Sequence, residues 1–325
     1  MKATAIAPSN IAFIKYWGRK DEVLRLPENG SISMNLSNLL TTTTVEFSSD
    51  FPEDSITINT IQEAKEGNRA IAHLDRVRAL ANIKTKAKVV TTNNFPTGTG
   101  LSSSASGFAA LTVAAAAAAG LTLSEKELSI LARQGSGSAC RSIPDGFVEW
   151  LNGDTSETSY AKTVYAPDYW DIVDVVAVVS KERKDVSTSE GQKRVGSSLF
   201  FPVRKAHMAE KIREIKKYME KKDFQNFGEM VEAEALELHA IMLTSRPSLI
   251  YLMPGSLLLM KLVKKWRSEG LHVYFTVNTG QDVHLICEKK NAEKVSELAA
   301  SIEGVQKTII NTPAKGASLS TAHLF

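Results

Sequence analysis

Three stretches of the chain carry residue types that bind anions and could act on them. The first is Phe95-Pro-Thr-Gly-Thr-Gly-Leu-Ser-Ser-Ser-Ala-Ser-Gly-Phe108. Gly98, Gly100 and Gly107 let the backbone turn its N–H groups toward one point, and Ser102, Ser103, Ser104 and Ser106 add hydroxyl donors. A β-rich run, Ala87–Thr92, precedes the loop, and an alanine-dominated run, Ala109–Ala119, follows it. Strand, glycine-serine loop and helix together present a helix N-terminus to a phosphate. The spacing fits neither a Walker loop, because no lysine follows, nor the G-x-G-x-x-G dinucleotide loop. A flexible linker is the competing reading, and the apolar segments on both flanks speak against it.

The second stretch is Gly135-Ser-Gly-Ser-Ala-Cys-Arg-Ser142. Small residues around Arg141 permit close approach, and a guanidinium grips a carboxylate or phosphate through two parallel hydrogen bonds. The alternative is an arginine capping a helix C-terminus. The third stretch is Asn10-Ile-Ala-Phe-Ile-Lys-Tyr-Trp-Gly18, with Lys15 and Tyr16 followed by Arg19, Lys20 and Arg25. It suits an anionic substrate, against the alternative of a solvated basic turn. No His/Cys/carboxylate cluster has metal-ligand spacing, and His284 reads as structural.

The elements that must position these residues follow from pattern. Strands are expected at Ala3–Ala7 and on through the Asn10 stretch, at Ser33–Leu36, Thr41–Phe47 and Ser55–Asn59, with a helix over Ala70–Ala81. Ser124-Glu-Lys-Glu127 reads as a capping box opening another helix. A boundary falls near Tyr169, giving domains 1–168 and 169–325. Val173–Ser180 is a buried strand, and Lys181–Gly196 an exposed polar loop holding Lys184, Ser187 and Ser189. Amphipathic helices follow over Phe201–Lys221, Phe224–His239 and Leu257–Gly270, then strands at Val273–Val277 and Val283–Cys287 and a helix over Ala292–Ile302.

Composition sets the bounds. With 325 residues, two domains are expected. A 43% hydrophobic and 23% charged composition is that of a soluble globular protein. The net charge of +3 gives no reason to expect nucleic acid. No run reaches the length of a membrane span. Cys140 and Cys287 stand far apart, which points to a reducing cytoplasm rather than a disulfide framework.

The Asn10–Gly18 stretch, the Pro-x-x-x-Gly-Leu-Ser-Ser-Ser-Ala-Ser loop, Gly-Ser-Gly-Ser-Ala-Cys-Arg-Ser and Gly146-Phe-Val-Glu-Trp150 together resemble the mevalonate-pathway decarboxylases of the GHMP kinase superfamily. The likeness runs in order over nearly the whole chain. It implies an α+β, GHMP kinase-like two-domain fold with a central cleft. The N-terminal part would be ribosomal S5 domain 2-like, and the C-terminal part a ferredoxin-like GHMP domain. Members act on phosphorylated mevalonate, a small-molecule partner, and are often homodimers. By the resemblance, Arg141 and Ser138 hold the substrate carboxylate, and Lys15 and Tyr16 face the substrate. Ser136 contacts its phosphate end, Arg19, Lys184 and Ser187 bind substrate, and Arg141, Asn278 and Lys15 are the catalytic candidates. Gly98, Gly100, Ser102, Ser103 and Ser104 form the phosphate loop.

The chain departs from the family pattern in one place that bears on mechanism. The family's aspartate lies in a Thr-x-Asp-Ala-Gly-Pro-Asn segment, which here is Thr276-Val-Asn-Thr-Gly-Gln-Asp282. Asn278 stands at the aspartate position, and an amide takes no proton at neutral pH. Asp282 is the candidate for a displaced base. Ser189 also replaces a basic residue common in the family, and Arg19 a lysine. The expectation is therefore a decarboxylase of mevalonate 3,5-bisphosphate that gives isopentenyl phosphate and needs neither ATP nor Mg²⁺. The alternative is an ATP-dependent decarboxylase of mevalonate 5-diphosphate or 5-phosphate.

Overall fold

A computed structural model describes residues 1–59, 64–180, 182 and 184–325. The chain opens with β1 (Lys2–Ile14), a small hairpin of β2 (Arg19–Asp21) and β3 (Leu26–Pro27), then β4 (Ser31–Ser48) and β5 (Ser55–Ile58). Next come α1 (Ala64–Ala81), β6 (Lys86–Asn93), α2 (Ser103–Ala118) and α3 (Glu125–Gly135). A 3₁₀ helix at Gly137–Ser142 leads into β7 (Phe147–Trp150) and β8 (Ala161–Tyr165). The second half runs β9 (Ile172–Val178), α4 (Thr188–Gln192), α5 (Phe201–Lys221), α6 (Phe224–Thr244) and α7 (Pro254–Ser268). It closes with β10 (Val273–Thr276), β11 (Val283–Glu288), α8 (Ala292–Ala300), β12 (Lys307–Asn311) and β13 (Ser318–Ser320).

Among the described residues, one sheet has seven strands in the order β13-β1-β4-β6-β5, with β7 and β8 attached through β4. The other has four antiparallel strands in the order β10-β11-β9-β12. The alanine run explains how α2 sits. Buried alanines at Ala105, Ala109, Ala110, Ala114 and Ala115 let the helix lie close to the sheet and to its helical neighbours. A helix apolar on every side is a core helix. Its neighbour α3 starts from the expected capping box: Ser124 Oγ accepts from Glu127 N, and Glu127 Oε2 accepts from Ser124 N at 2.8 Å.

One buried cluster joins the halves. Ile11, Phe13 and Ile14 on β1 and Ile32, Met34 and Leu36 on β4 pack with Phe227 and Val231 of α6 and with Val176, Tyr274 and Ile286 of the second sheet. The Phe13 and Phe227 rings meet edge-on, 4.9 Å apart. The end of β1, and with it Lys15, is therefore fixed against the second half. Gly228 makes this packing possible, because a Cβ there would overlap the Tyr274 ring. Gly228→Ala is expected to cost about 1–3 kcal/mol of stability as the helix shifts, read from the urea midpoint. An unchanged midpoint would show that α6 moves freely.

Two expectations need correction. Ser33–Leu36 and Thr41–Phe47 belong to one long strand, β4, which changes partner along its length. Its start pairs with β7, its end with β6, and β1 runs along its other edge. The stretch expected as an exposed loop holds α4, where Gly191 and Gln192 are buried. Gln192 Oε1 accepts the Gly18 N–H at 2.6 Å. The charged Glu190 and Lys193 around them hide this in the sequence; Lys181 and Arg183 lie outside the described residues. Among the described residues no helix is long and apolar enough to cross a membrane.

Candidate active site

A cleft of about 750 Å³ lies between the two halves. Most residues singled out from the sequence line it: Lys15, Tyr16 and Arg19 from the Asn10 stretch and the turn after it; Gly98, Gly100, Ser102, Ser103 and Ser104 from the loop; Ser136, Ser138 and Arg141; Lys184 and Ser187; and Asn278; Lys20, Ser106 and Asp282 do not.

Arg141 sits on the 3₁₀ helix and is 4% exposed. Its Nη1 donates to Ser31 Oγ at 2.8 Å and its Nη2 to Asn10 Oδ1 at 3.0 Å. Among the described residues no carboxylate pairs with it, and burial pulls its pKa below the usual value. A buried guanidinium held only by neutral groups is an unmatched charge awaiting an anion. Asn10 lies in one of the motifs, but nothing in the sequence marks Ser31, or the clamp by which the two aim Arg141.

Lys15 follows β1 and is 2% exposed. Its N–H donates to Glu234 Oε2 at 3.0 Å, and its carbonyl accepts from Arg204 Nη2 and Asn29 Nδ2, each at 2.9 Å. With the backbone clamped, Nζ enters the cleft and donates to Asn278 Oδ1 at 3.1 Å. Burial lowers its pKa to about 7; Glu234 opposes that shift and Arg141 adds to it. Asn278 Nδ2 donates to Ser102 Oγ at 3.2 Å, so the amide bridges the lysine and the phosphate loop. His239 Nε2 donates to the Asn278 carbonyl at 3.0 Å, and burial drives the His239 pKa down to about 4, which keeps it neutral.

The phosphate loop is seated on the second half. Gly100 has φ +116, and a Cβ on it would lie 2.7 Å from Gly280 Cα. A Cβ on Gly280 would overlap the Thr99 carbonyl, which accepts from Gln281 N at 3.2 Å. Ser102 holds a left-handed backbone at the head of α2 and makes no side-chain cap; Ala105 N donates to the Ser102 carbonyl at 2.8 Å, and the N–H groups of Ser103 and Ser104, both lining the cleft, are left without a side-chain cap. Beside the loop, Ile56, Val89, Phe108 and Leu111 give the cleft an apolar flank. Open N–H groups, hydroxyls and this flank fit a nucleotide: phosphates at Gly98–Ser104, the flat base on the apolar side. Among the described residues no group of His, Cys, Asp or Glu could hold a metal ion, so a Mg²⁺ would be held chiefly by nucleotide phosphates.

At the far end, Arg19 Nε donates to Tyr16 Oη at 3.0 Å, its Nη1 pairs with Glu22 at 2.7 Å, and its Nη2 reaches Ser189 Oγ at 3.4 Å. Ser136 Oγ donates to Ser104 Oγ at 3.3 Å, linking this end to the loop. Arg25, from the same basic stretch, also lines the cleft; burial first, then Arg19 and Arg69, lower its pKa to about 10. Lys184 Nζ donates to Thr188 Oγ1 at 2.7 Å and to the Thr279 carbonyl at 2.6 Å, and burial lowers its pKa to about 8. Ser187 is partly spent as the cap of α4, accepting from Glu190 N. Thr188 and Thr279 had no sequence signal beyond their neighbours.

Asp282 is not a displaced base. Its Oδ1 accepts from Val179 N at 2.9 Å, the residue is 2% exposed, and it does not line the cleft. It sits past the turn, and burial pushes its carboxyl up. Asp145 and Glu149 are likewise outside: the first holds Gly316 N and the second Lys216. Among the described residues the carboxylates lining the cleft are Glu22, bound to Arg19, and Asp185. The cleft can thus take a polyanion, with a carboxylate at Arg141 and phosphates at both ends.

Comparison with known proteins gives the family. A family model described as the diphosphomevalonate decarboxylase-like N-terminal domain matches residues 7–161, and one described as the mevalonate 5-diphosphate decarboxylase C-terminal domain matches residues 174–321. Diphosphomevalonate decarboxylase of Candida albicans is 37% identical over 91% of this chain and 87% of its own. A structure of MDDEF in complex with MVAPP, AMPPCP and magnesium is 37% identical, with a TM-score of 0.94 over 98% of this chain and 99% of that one. A second, of the mevalonate diphosphate decarboxylase from Enterococcus faecalis, is 36% identical with a TM-score of 0.91, over 98% and 99%. The two-domain GHMP kinase-like α+β fold is the one observed. The expectation of a reaction without ATP or Mg²⁺ is overturned, since so similar a protein takes an ATP analogue and magnesium. Equating a missing aspartate with a missing need for nucleotide was the error.

Proposed function

The chain belongs to the diphosphomevalonate decarboxylase family, and we propose that it decarboxylates mevalonate 5-diphosphate with consumption of ATP. The observation that carries the reading is the unmatched guanidinium of Arg141, facing a phosphate loop across Lys15 and Asn278 in one cleft. Bound at the loop, ATP supplies the phosphoryl group that turns the substrate's tertiary hydroxyl into a leaving group. Arg141 fixes the carboxylate so that its C–C bond stays aligned with the breaking C–O bond. Ser102, Ser103 and the open N–H groups of α2 meet charge as it grows on the departing phosphate. Tyr16, Arg19 and Ser136 hold the 5-phosphate end. Asn278 orients Lys15 and Ser102 toward each other.

The test is to incubate purified protein with mevalonate 5-diphosphate and MgATP and follow ADP and carbon dioxide. Equal release of both is expected. Carbon dioxide without ADP, or ADP without carbon dioxide, would overturn the reading.

A second substrate, mevalonate 5-phosphate, is favoured by one feature. Glu22 already neutralises Arg19, and Ser189 offers no charge beside it. The ratio of kcat/KM for the two esters decides between them. The division into domains 1–168 and 169–325 remains part of our reading, supported by the gap between the matched spans, 161 and 174. A homodimeric assembly and a cytoplasmic setting rest on the family resemblance and on the two distant, buried cysteines.

A further inference from the structure

We propose that the amine of Lys15, rather than a carboxylate, accepts the proton of the substrate's tertiary hydroxyl during phosphoryl transfer. This rests on the ATP-dependent reading above. The geometry leaves little else to do it. Asn278 occupies the place of a carboxylate but its amide takes no proton. Glu22 is bound to Arg19, Asp185 lies exposed on the outer loop, and Asp282 is buried on the Val179 N–H and does not line the cleft. His239 spends its N–H on the Asn278 carbonyl from outside the cleft wall. Lys184 is tied to Thr188 and Thr279.

Lys15, by contrast, lines the cleft between Arg141 and the loop, and among the described residues its Nζ has no carboxylate partner. The charged groups that bear on it are Glu234, Arg204, Arg141 and Asp174, with His239 beside it neutral. Glu234 is the nearest counter-charge by effect, but its oxygens serve Lys211, Arg204 and the residue 15 N–H. Asp174 is occupied by His284. Burial therefore prevails, and a share of the amine is neutral near pH 7. An aspartate in place of Asn278 would pair with the ammonium and keep it charged. An amide leaves its lone pair available.

The step balances as follows. The hydroxyl O–H bond breaks and its proton goes to the Nζ lone pair. The oxygen forms a bond to the γ-phosphorus as the bond to ADP breaks. When the 3-phosphate later leaves, it takes that proton as hydrogen phosphate and restores the neutral amine.

Two independent readouts test this. In the unliganded protein, lysines labelled with ¹³C at Cε are titrated by NMR, with Lys15→Arg identifying the resonance. The Lys15 signal is expected to titrate near pH 7, about as its burial sets it. In turnover, kcat/KM against pH should show an acid limb at the same midpoint. Lys15→Arg keeps the charge but cannot give up its proton; it should lower kcat by about 100-fold or more and lose the limb. In Asn278→Asp the new carboxylate takes over as base while Lys15 stays charged, so the limb should move to the lower pH of a carboxylate, and in that background Lys15→Arg should lose far less. A Lys15 signal titrating above pH 9 in an active enzyme, or Lys15→Arg within about threefold of the parent rate, overturns the base alone. A parent protein that releases no ADP with either mevalonate ester overturns the functional reading, and the base with it.

Discussion

Replacing Arg141 with alanine is expected to lower kcat/KM for decarboxylation by about a thousandfold, roughly 4 kcal/mol of transition-state stabilisation. The guanidinium is buried, its hydrogen-bond partners are neutral, and no carboxylate balances it among the described residues. Truncating one member of a desolvated charged pair costs about 2–5 kcal/mol, and losing alignment of the breaking C–C bond adds to that. Stability should move the other way from activity. Without its anion the charge is a burden on the fold, so the thermal midpoint of Arg141→Ala should fall little or rise. Arg141→Lys keeps a charge but loses the fork, and a loss of about a hundredfold is expected. Rates within tenfold of the parent for alanine would remove the carboxylate role.

The second large effect is on stability. Glu234→Leu should cost about 3–5 kcal/mol, measured by urea unfolding. The carboxylate is fully buried on α6 and accepts from Arg204 Nη2 at 2.8 Å, Lys211 Nζ at 2.8 Å and the residue 15 N–H at 3.0 Å. Removing it leaves Arg204 buried beside an unanswered backbone donor. Burial alone would push the Glu234 carboxyl up, but Arg204 and Lys211 outweigh it and hold it below the usual carboxylate range. A carboxyl depressed in the folded state stabilises above its unfolded pKa, and that contribution is lost as the pH falls through the folded value. The acid-side loss should therefore be smaller in the variant. Its residual activity carries a second signature. Glu234 favours the charged form of Lys15, so its loss should move the acid limb of kcat/KM to lower pH. A urea midpoint within about 1 kcal/mol of the parent would show that Arg204 finds another counter-charge.

Much of the site could be read from the chain because its parts are local. Gly100 and the serines after it mark the loop, and the alanines after Phe108 mark a helix that can only be buried. Arg141 stands out among small residues. What could not be read is direction across space. Asn278 and Ser102 lie 176 residues apart, and their hydrogen bond follows from Gly100 seating on Gly280. Asp282 carries the right chemistry in sequence but is spent on the Val179 N–H, outside the cleft lining. Gly191 and Gln192 are buried within a charged stretch, and β4 changes partner in mid-strand; periodicity sees neither. The desolvation of Lys15 comes from its burial where the end of β1 meets the second half of the fold. Composition around residue 15 shows only one more basic residue.

The glycine-on-glycine seat between residues 100 and 280 has a thermodynamic consequence. The loop cannot tilt without displacing the turn that starts at Asn278, because backbone meets backbone with no side chain to yield. Occupancy at the loop and occupancy beside Lys15 are thereby linked functions of one coordinate. Whatever factor a phosphate at the loop applies to the affinity for the second anion, that anion must apply to the phosphate in return.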